Sequence, residues 1–524
     1  MYRYSGEDDQ PMMSNIRDIS GGINSRVHAT QIGQTQIAAC YGADISIPGR
    51  SKKAPGSTLV GSDVSNSSVV ALCNYVRQGY TDTLALYEGT NLREWTGSGN
   101  TSAAIKSDFT ASQEDVGILA CKESGLTPDD IIIVQNGTDN AFRFQKDSSE
   151  AWQTQDLGNT NNSPPLTTVM CWNANRVWAL KNDLLYFSDA YDSDYSSSFD
   201  RTTNAFRIPV GIERSLIATR DMGIIVMGDK AIWSLAPSLT PDPATDQPQP
   251  VLSDIGVVSK KAAIATADDI YFFSYDGLRG LKRTVQDKLQ SATSFPLSYF
   301  LKTEFESIAW AYKDRICMEY FDNKIFIAVP TSSSAFDTWI YYPATQAFTV
   351  LQGFSPRCWA KFKVSSEERF YYGKHGNGTI YRMWYGYTIE GTTTSNGTAQ
   401  TYQEEGRKDD LGYAFVKKQG GELMVKAEAS GDYDLKVYAS FDDGGYNYLG
   451  AVNLSGNLIT FPTGFPITFR PSNMCWKKFH LDRYGEWYNI QVKLTNEETA
   501  TDEIYILDRQ VIAYPVMYKH QEEN

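Results

Sequence analysis

The chain has few histidines and no long apolar run, and each absence excludes a class of protein. Only four of its 524 residues are histidine. None shares a short spacing with a cysteine or a carboxylate cluster, and no GxSxG, HExxH or P-loop pattern occurs. A histidine-based active site is therefore not expected. No apolar run approaches the roughly 20 residues that span a bilayer, and residues 1–13 lack the apolar core of a secretory signal.

Cysteine pairs at metal-binding spacing are also missing. The seven cysteines are odd in number and form no CxxC pair, and several lie inside apolar stretches that read as strands. Such cysteines are typical of reduced thiols in a protein core. We therefore predict neither a disulfide framework nor a zinc site, and no cofactor.

Positive charge is in deficit. The chain has 48 basic and 62 acidic residues, which gives a formal net charge of −14. Tight binding to phosphates depends on clustered lysine and arginine, so the composition argues against a nucleic-acid-binding protein. DNA that passes close by without binding is still compatible with an acidic wall, which repels phosphate. Ordinary solubility explains the charge equally well.

Against these absences stands a regular repeat of about 46 residues. Each unit is an apolar run, a turn signal and a second apolar or aromatic run, and successive starts differ by 47, 46, 47, 46, 55 and 45 residues. The starts are Thr83, Asp130, Arg176, Gly223, Asp269, Lys324 and Arg369. A four-stranded propeller blade needs roughly 40–50 residues. The period, with 32 Tyr and 40 Gly, predicts an all-β protein built on a six- to seven-bladed β-propeller.

The repeat also divides the chain. We predict an N-terminal arm or small strand platform over residues 1–68, the propeller over 69–386, and a linker with a C-terminal β-sandwich over 387–524. Five prolines between Ala236 and Val251 predict a protruding loop. The stretch Thr284–Phe305 reads as helical and accounts for the longest interval between starts.

Three groups of polar residues are candidates for a site. Asp189, Asp192, Asp194 and Asp200 form an oxygen-rich loop that suits either a hard cation or plain solvation. The segment from Ser440 to Gly444 is similar to the start of a sialidase Asp-box turn, but it also fits an ordinary hairpin turn. Arg50, Lys52 and Lys53 are a basic cluster in the arm that could contact an acidic neighbour or a passing phosphate. None of these suggests a catalytic residue, so the sequence predicts that the chain is not an enzyme.

The arm carries phrases of a known family. They are Gly21–Gly22–Ile23–Asn24, then Gln31–Ile32–Gly33–Gln34, then Gly49–Arg50 followed by Pro55–Gly56, with a late Asp482–Arg483–Tyr484–Gly485 phrase. This pattern resembles the tail nozzle (tubular) proteins and the tail-hub, packaged-DNA-stabilisation proteins of short-tailed bacteriophages. The order of arm, propeller and C-terminal strands is similar too.

The resemblance implies a virion structural protein, assembled in the host cytoplasm. Such proteins form a ring, usually a hexamer, that docks below the portal and adaptor complex near tail fibres or spikes and conducts or retains the genomic DNA. The residues alone leave two alternatives open. One is a tail propeller that degrades or binds glycans, and the other is a plain protein-binding propeller.

Overall fold

The computed structural model is built mainly of β-strands. It describes residues 11–516 except for 62–66, 78–79, 81, 111–114, 123–129, 193, 220–222, 291–292, 393–395, 429–430, 432, 455–473 and 499–503. Among these described residues, no helix has both the length and the apolar character that crossing a bilayer requires. Residues 517–524, which include the histidine at position 520, lie outside the described residues.

The N-terminal arm is made of short strands. They are β1 (Met12–Ile16), β2 (Gly22–Ile23), β3 (Gln36–Ile37), β4 (Ala39–Tyr41), β5 (Ala43–Asp44), β6 (Ser51–Lys53) and β7 (Ser57–Gly61). These strands are distributed among several sheets: β2 pairs in parallel with β3, and the others join sheets formed by later parts of the chain.

The glycine-rich phrase of the arm folds as it does because of a close backbone approach. Gly22 has a φ of 66°, and a Cβ on it would lie 2.7 Å from the backbone nitrogen of Phe348. The Asn24 amide donates to Gln36 Oε1 at 2.8 Å, and the backbone of Gly21 donates to the carbonyl of Thr35. Glycine is the residue that tolerates both the positive φ and the contact.

The repeat region forms small antiparallel sheets. Its strands are β8 (Val69–Tyr75), β9 (Thr83–Glu88), β10 (Asn91–Trp95), β11 (Gly117–Lys122), β12 (Asp130–Gln135), β13 (Phe142–Lys146), β14 (Trp152–Asp156), β15 (Met170–Asn173), β16 (Arg176–Lys181), β17 (Leu184–Phe187), β18 (Ala205–Arg207), β19 (Glu213–Ala218), β20 (Ile224–Gly228), β21 (Ile232–Leu235), β22 (Gln249–Leu252), β23 (Ala263–Ala265), β24 (Ile270–Ser274), β25 (Gly277–Gly280), β26 (Cys317–Phe321), β27 (Lys324–Pro330), β28 (Phe336–Tyr342), β29 (Ala347–Gln352), β30 (Pro356–Val364), β31 (Glu367–Lys374) and β32 (Ile380–Met383).

Each unit of the repeat lies in its own sheet. In chain order the sheets contain β8–β10, β11–β14, β15–β18, β19–β22, β23–β25, β26–β29 and β30–β32, and we call them the first to seventh sheets. Within the described residues, their first strands contact one another in a closed cycle, from β8 through β11, β15, β19, β23 and β26 to β30 and back to β8. This confirms the predicted all-β propeller.

The ring is closed by the arm. Strand β7 pairs antiparallel with β32 as the outer strand of the seventh sheet, so residues before the repeat complete its last unit. Closure of the ring by both ends of the repeat region ties the first and seventh sheets together, which protects them from separating.

Helices occur beside the fifth sheet. Helix α1 (Leu281–Leu289) follows β25, and after a 3₁₀ turn at Leu297–Phe300 comes helix α2 (Lys302–Glu306). The helical stretch predicted from Thr284 to Phe305 is therefore present, but broken into pieces. Proline at 296 lies where the helical pieces are interrupted.

The C-terminal strands extend sheets that begin elsewhere. They are β33 (Thr388–Ile389), β34 (Thr398–Ala399), β35 (Tyr402–Asp409), β36 (Lys418–Glu428), β37 (Asp434–Phe441), β38 (Asn447–Asn453), β39 (Met474–His480), β40 (Glu486–Trp487), β41 (Ile490–Asn496) and β42 (Tyr505–Pro515). Strand β4 of the arm pairs with β29 on one side and β35 on the other, so the sixth sheet continues as β26-β27-β28-β29-β4-β35-β41-β37-β38. A second sheet joins β36 and β42 to the arm strands β1, β5 and β6.

The C-terminal part therefore shares its sheets with the arm and the propeller. The separate β-sandwich stays a prediction. Strand β35 lies in the range 387–524 predicted as linker and sandwich, and it is an inner strand of the nine-stranded sheet. Burial alternates along β35, and its packed face itself carries the charged residues Glu404 and Asp409.

A buried ion pair joins the arm to both sheets. Arg509 of β42 and Glu404 of β35 are 4% and 1% exposed, and they pair directly. Tyr402 and Ser51 also contact this carboxylate through their hydroxyl groups. Because a buried charge is costly without its partner, this cluster fixes the positions of three strands together.

The joint between the arm and the C-terminal part gives a prediction about glycine. A Cβ at Gly42, whose φ is 62°, would lie 1.8 Å from the carbonyl oxygen of Thr401. We expect Gly42→Ala to destabilise the fold by roughly 3 kcal/mol, from positive φ and overpacking together. Thermal unfolding monitored by circular dichroism measures the effect.

Gly49→Ala is the matched control. Gly49 has a φ of 76°, but a Cβ added to it would meet no atom within 4 Å, so it carries the conformational cost alone. Equal losses for both variants would show that contact at the joint has no part in stability.

Candidate functional site

One face of the propeller carries a cleft. In each antiparallel sheet the turn after the first strand and the turn after the third lie on the same face, and the cleft opens between such turns of the fifth and sixth sheets. Its volume is about 560 Å³. The residues that line it are Ser46, Asp268, Tyr271, Tyr320, Asp322, Asn323, Lys324, Tyr342, Pro343, Ala344 and Thr345. We call it the tyrosine cleft.

The polar groups of the tyrosine cleft are held in place by one another. The Tyr320 hydroxyl donates to Asn323 Oδ1 at 2.9 Å, and Lys324 Nζ donates to Asp322 Oδ2 at 2.7 Å. Asp322 and Asn323 adopt φ angles of 48° and 57°, which the tight turn between β26 and β27 requires. Asp268, on the opposite wall, is exposed.

A second depression of about 370 Å³ adjoins the cleft and shares Asp322 with it. Glu367, Glu368, Arg369, Arg382 and Trp384 line it, with Phe321, Phe370 and Met383 at its base. Two guanidinium groups pair with the Glu367 carboxylate, at 2.7 Å from Arg369 and 3.0 Å from Arg382. The two depressions together form a groove across the fifth, sixth and seventh sheets.

The carboxyl groups of Glu367, in the groove, and of Asp269, beside the cleft residue Asp268, differ in acidity. The hydrogen bond from Arg369 and the charge of Arg382 lower the pKa of Glu367. Burial raises the pKa of Asp269, against the backbone N–H groups of Lys282 and Ile270, which lower it. Asp269 lies beside Asp268 at the start of the fifth-sheet hairpin. Asp269 lines neither depression, and its Oδ1 accepts the backbone N–H groups of Ile270 and Lys282.

The basic cluster predicted in the arm is split by the fold. Lys53 is fully buried, and its ammonium donates to Asn496 Oδ1 and to the Glu498 carbonyl, each at 2.7 Å. It therefore cannot contact another molecule in this fold. Lys52 lies 3.6 Å from Asp44, while Arg50 is exposed and lies 3.7 Å from Glu428. A contact with a partner stays a prediction for Arg50 and Lys52.

Carboxylates of the Asp-rich loop accept hydrogen bonds from the backbone of their own turns. Asp194 accepts from the backbone of Ser196 at 2.7 Å, and Asp200 accepts from that of Thr202 at 2.9 Å. No group of three or more His, Cys, Asp or Glu side chains that could hold a metal ion occurs among the described residues. This loop and the proline-rich loop follow the third strands of their sheets, so both lie on the same face as the tyrosine cleft.

The Asp-box-like segment is a hairpin turn. Asp442 and Asp443 have φ angles of 45° and 63°, and the Ser440 hydroxyl donates to the Gly444 carbonyl at 2.6 Å. Asp442 Oδ1 accepts the backbone N–H groups of Tyr488 and Asn489. Its carboxylate therefore braces the turn.

The tyrosine cleft was not found from the sequence. Its side chains come from two repeats and from Ser46 of the arm, and no spacing along the chain relates them. The signal that the sequence does contain is positional. Acids recur at the turn after the first strand of these sheets, at Asp268, Asp322 and Glu367.

Comparisons with known proteins concern the fold. No protein-family model matches the chain, and no curated protein matches it. Similar solved structures include an ancestral GH74 enzyme (TM-score 0.38, 11% identity, covering 66% of this chain and 50% of that one). They also include the WD40 β-propeller domain of Doa1 (TM-score 0.33, 9% identity, 63% and 96% covered) and an exo-β-1,3-galactanase from Phanerochaete chrysosporium (TM-score 0.25, 8% identity, 78% and 99% covered). The chain spans half the length of the GH74 enzyme.

These comparisons correct one expectation. The absence of catalytic motifs predicted that the chain is not an enzyme, and that prediction is wrong as an exclusion, since two of the similar structures are enzymes that act on glycans. The physical reason is that missing histidine motifs exclude only histidine chemistry. Glycoside hydrolysis uses carboxylates, which no short motif announces. Likeness at this level does not assign an activity.

Burial of Lys53 gives a prediction about pH. Desolvation lowers its pKa from 10.5 to about 7 in the folded chain, although Glu498 opposes the shift. The unfolded chain therefore binds more protons than the folded one between pH 7 and 10.5, so stability rises with pH there. We expect Lys53 to add about 2 kcal/mol of stability between pH 7 and pH 9.

The Lys53→Met variant isolates this contribution. As pH rises from 7 to 9, the thermal midpoint of the wild type should rise relative to that of the variant. Parallel pH profiles for the two proteins would mean that Lys53 stays charged in the fold from pH 7 to pH 9.

Proposed function

We propose that this chain is a glycan-binding propeller and that the tyrosine cleft is its binding site. The observation that carries the proposal is the combination of Tyr271, Tyr320 and Tyr342 with the carboxylates of Asp268 and Asp322 around a preformed cleft of about 560 Å³. Aromatic side chains with a few fixed polar groups are typical of small-ligand sites.

The chemistry of the walls favours a neutral, hydroxyl-rich ligand. Carboxylate oxygens accept hydrogen bonds from hydroxyl groups, and Asn323 offers an amide. Apolar faces of sugar rings can pack on the half-buried rings of Tyr271 and Tyr320. Lys324 is engaged by Asp322 and lies 5.2 Å from the Trp384 ring, so it adds little free positive charge. Phosphate-rich ligands would meet carboxylates on both walls.

The neighbouring depression suggests a ligand of several sugar units. It shares Asp322 with the tyrosine cleft and adds Trp384 as a further aromatic surface. Tail proteins of bacteriophages are one setting for such binding, because the arm phrases resemble that family. Hydrolysis of the bound glycan is compatible with the carboxylates present.

Binding to oligosaccharides tests this proposal. We expect Tyr320→Ala to weaken binding at least tenfold, about 1.4 kcal/mol, in titration calorimetry with glycans first selected on an array. Tyr448→Ala is the control, since Tyr448 is a 53% exposed tyrosine on β38, far along the nine-stranded sheet. Release of reducing ends in the same samples detects cleavage.

The proposal fails if no glycan on the array binds, or if Tyr320→Ala and Tyr448→Ala bind the selected glycan equally. Asp322→Asn adds a second probe, because its carboxylate contributes to both depressions. Loss of cleavage with binding kept would assign a carboxylate to catalysis.

A second candidate function rests on the arm. The phrase residues Gly21–Asn24 pack against the sixth sheet, and the arm strands tie the propeller to the C-terminal sheets. We propose that this body is the subunit of a ring in a phage tail, below the portal and adaptor complex, around the path of the genomic DNA. A ring needs unlike surfaces that meet head to tail.

Low-resolution imaging of the particle that contains the chain tests the ring. We expect several copies around the tail axis, with the arm directed toward the neighbouring subunit or the adaptor. A single copy, or copies at fibre tips only, would contradict the ring while leaving glycan binding intact.

A further inference from the structure

The axis of the propeller contains a further cavity, of about 270 Å³, which we call the axial cavity. Its walls come from the innermost strands and the residues just before them. Those residues include Ala71, Asp115, Thr168, Lys260, Lys261, Glu319 and Trp359. The charged groups that precede the strands lie on the face opposite the tyrosine cleft, because the first strand of each sheet runs from one face to the other.

Two lysines of the fifth sheet reach across this axis. Lys260 Nζ lies 2.9 Å from Asp115 Oδ2, at the second sheet, and also donates to Thr168 Oγ1 at the third. Lys261 Nζ donates to the backbone carbonyl of Val70, in the first sheet. Since the fifth sheet neighbours the fourth and sixth, both contacts cross the ring. The lysines are thus held inside the cavity.

Positive charge is in local excess around these lysines. Arg357 is 2% exposed, and its guanidinium donates to the Asp314 carbonyl at 3.5 Å. The charged groups that line the cavity are Lys260, Lys261, Asp115 and Glu319, and the charge of Arg357 also acts on Lys261. Because Glu319 is paired with Lys361, the three cations Lys260, Lys261 and Arg357 are left with the one carboxylate of Asp115.

Among the cations of the cavity, Lys261 would be stabilised most by a bound anion. Burial, and then the nearby charge of Arg357, lower its pKa. The hydrogen bond to Val70 satisfies one of its three donors. Glu319, deeper in the cavity, is paired with Lys361 at 3.3 Å and does not contact Lys261 in the described structure.

We propose that the axial cavity binds a small oxyanion, a carboxylate or phosphate group, held by Lys261 and Lys260 beside Arg357. A bound anion neutralises cations that otherwise repel one another in a desolvated place. The site is independent of the tyrosine cleft, which lies on the other face and has carboxylates in its walls. It also concerns one small ion, so the net charge of −14 does not oppose it as it opposes binding to nucleic acid.

Titration with simple anions tests the site. Inorganic phosphate and acetate are added separately at about 10 mM, with sodium chloride at matched ionic strength as the reference. We expect phosphate or acetate to raise the thermal midpoint by several degrees above chloride, and the larger shift identifies which class of oxyanion the site takes. A phosphorus-31 NMR titration gives the phosphate affinity directly.

Variants locate the effect. Lys261→Gln should weaken binding at least tenfold. Lys230→Gln is the matched control, because Lys230 is an exposed lysine in a turn on the same face and should leave binding unchanged. Lys260→Gln is the second probe, since this side chain is 26% exposed and tolerates replacement better.

Two outcomes would overturn the site. Stabilisation by phosphate and acetate no greater than by chloride would show that the cations are satisfied within the chain. Equal phosphate affinity for the wild type, Lys261→Gln and Lys260→Gln would place the anion elsewhere on the surface. Failure of Lys261→Gln to fold leaves the decision to Lys260→Gln.

Discussion

The arm depends on a small set of buried charges more than on its own strands. Its strands are mostly two or three residues long, too short to be stable alone. The Arg509–Glu404 pair, with the hydroxyl of Ser51, and the Lys53 ammonium, with Asn496, hold β6 against the two C-terminal sheets. Breaking a buried pair by removing one partner typically costs about 3–5 kcal/mol. That constraint keeps the arm in register, and the arm in turn closes the seventh sheet through β7.

Placing the arm between the sixth sheet and β35 makes one sheet out of two regions of the molecule. Strand β4 pairs with β29 in parallel and with β35 antiparallel, and Gly42 donates its backbone N–H to Val350 at 2.8 Å. In a sheet that runs from the propeller axis to β38, each strand fixes the position of its neighbours, because hydrogen-bonded strands do not slide independently. A scaffold of this kind suits either proposed role, a fixed cleft or a subunit in a ring.

The propeller could be predicted because each repeat contains the sequence signals of its own hairpin. Alternating apolar runs and turns such as Asn136–Gly137 are local signals, and Gly137 does adopt a φ of 77°. The pairings of β4 with β29 and of β7 with β32 could not be predicted, since these partners are distant in the chain and leave no period. Lys53 was misjudged for a related reason. A lysine beside Arg50 and Lys52 reads as exposed, and only the distant Asn496 and Glu498 make its burial tolerable.

The tyrosine cleft and the axial cavity show why the fold could be predicted from the sequence and the sites could not. A propeller collects side chains from the same position of successive sheets, so residues from distant parts of the chain line one wall. Asp268 and Asp322 meet at one face in this way, and Lys260 and Asp115 meet at the axis. The net charge of −14 is a sum over the whole chain. It does not show that carboxylates lie together on one face of the propeller and cations near the other. Because ligand choice follows local charge and not the average, a chain that repels polyanions as a whole can still offer one carboxylate-lined cleft and one cationic cavity.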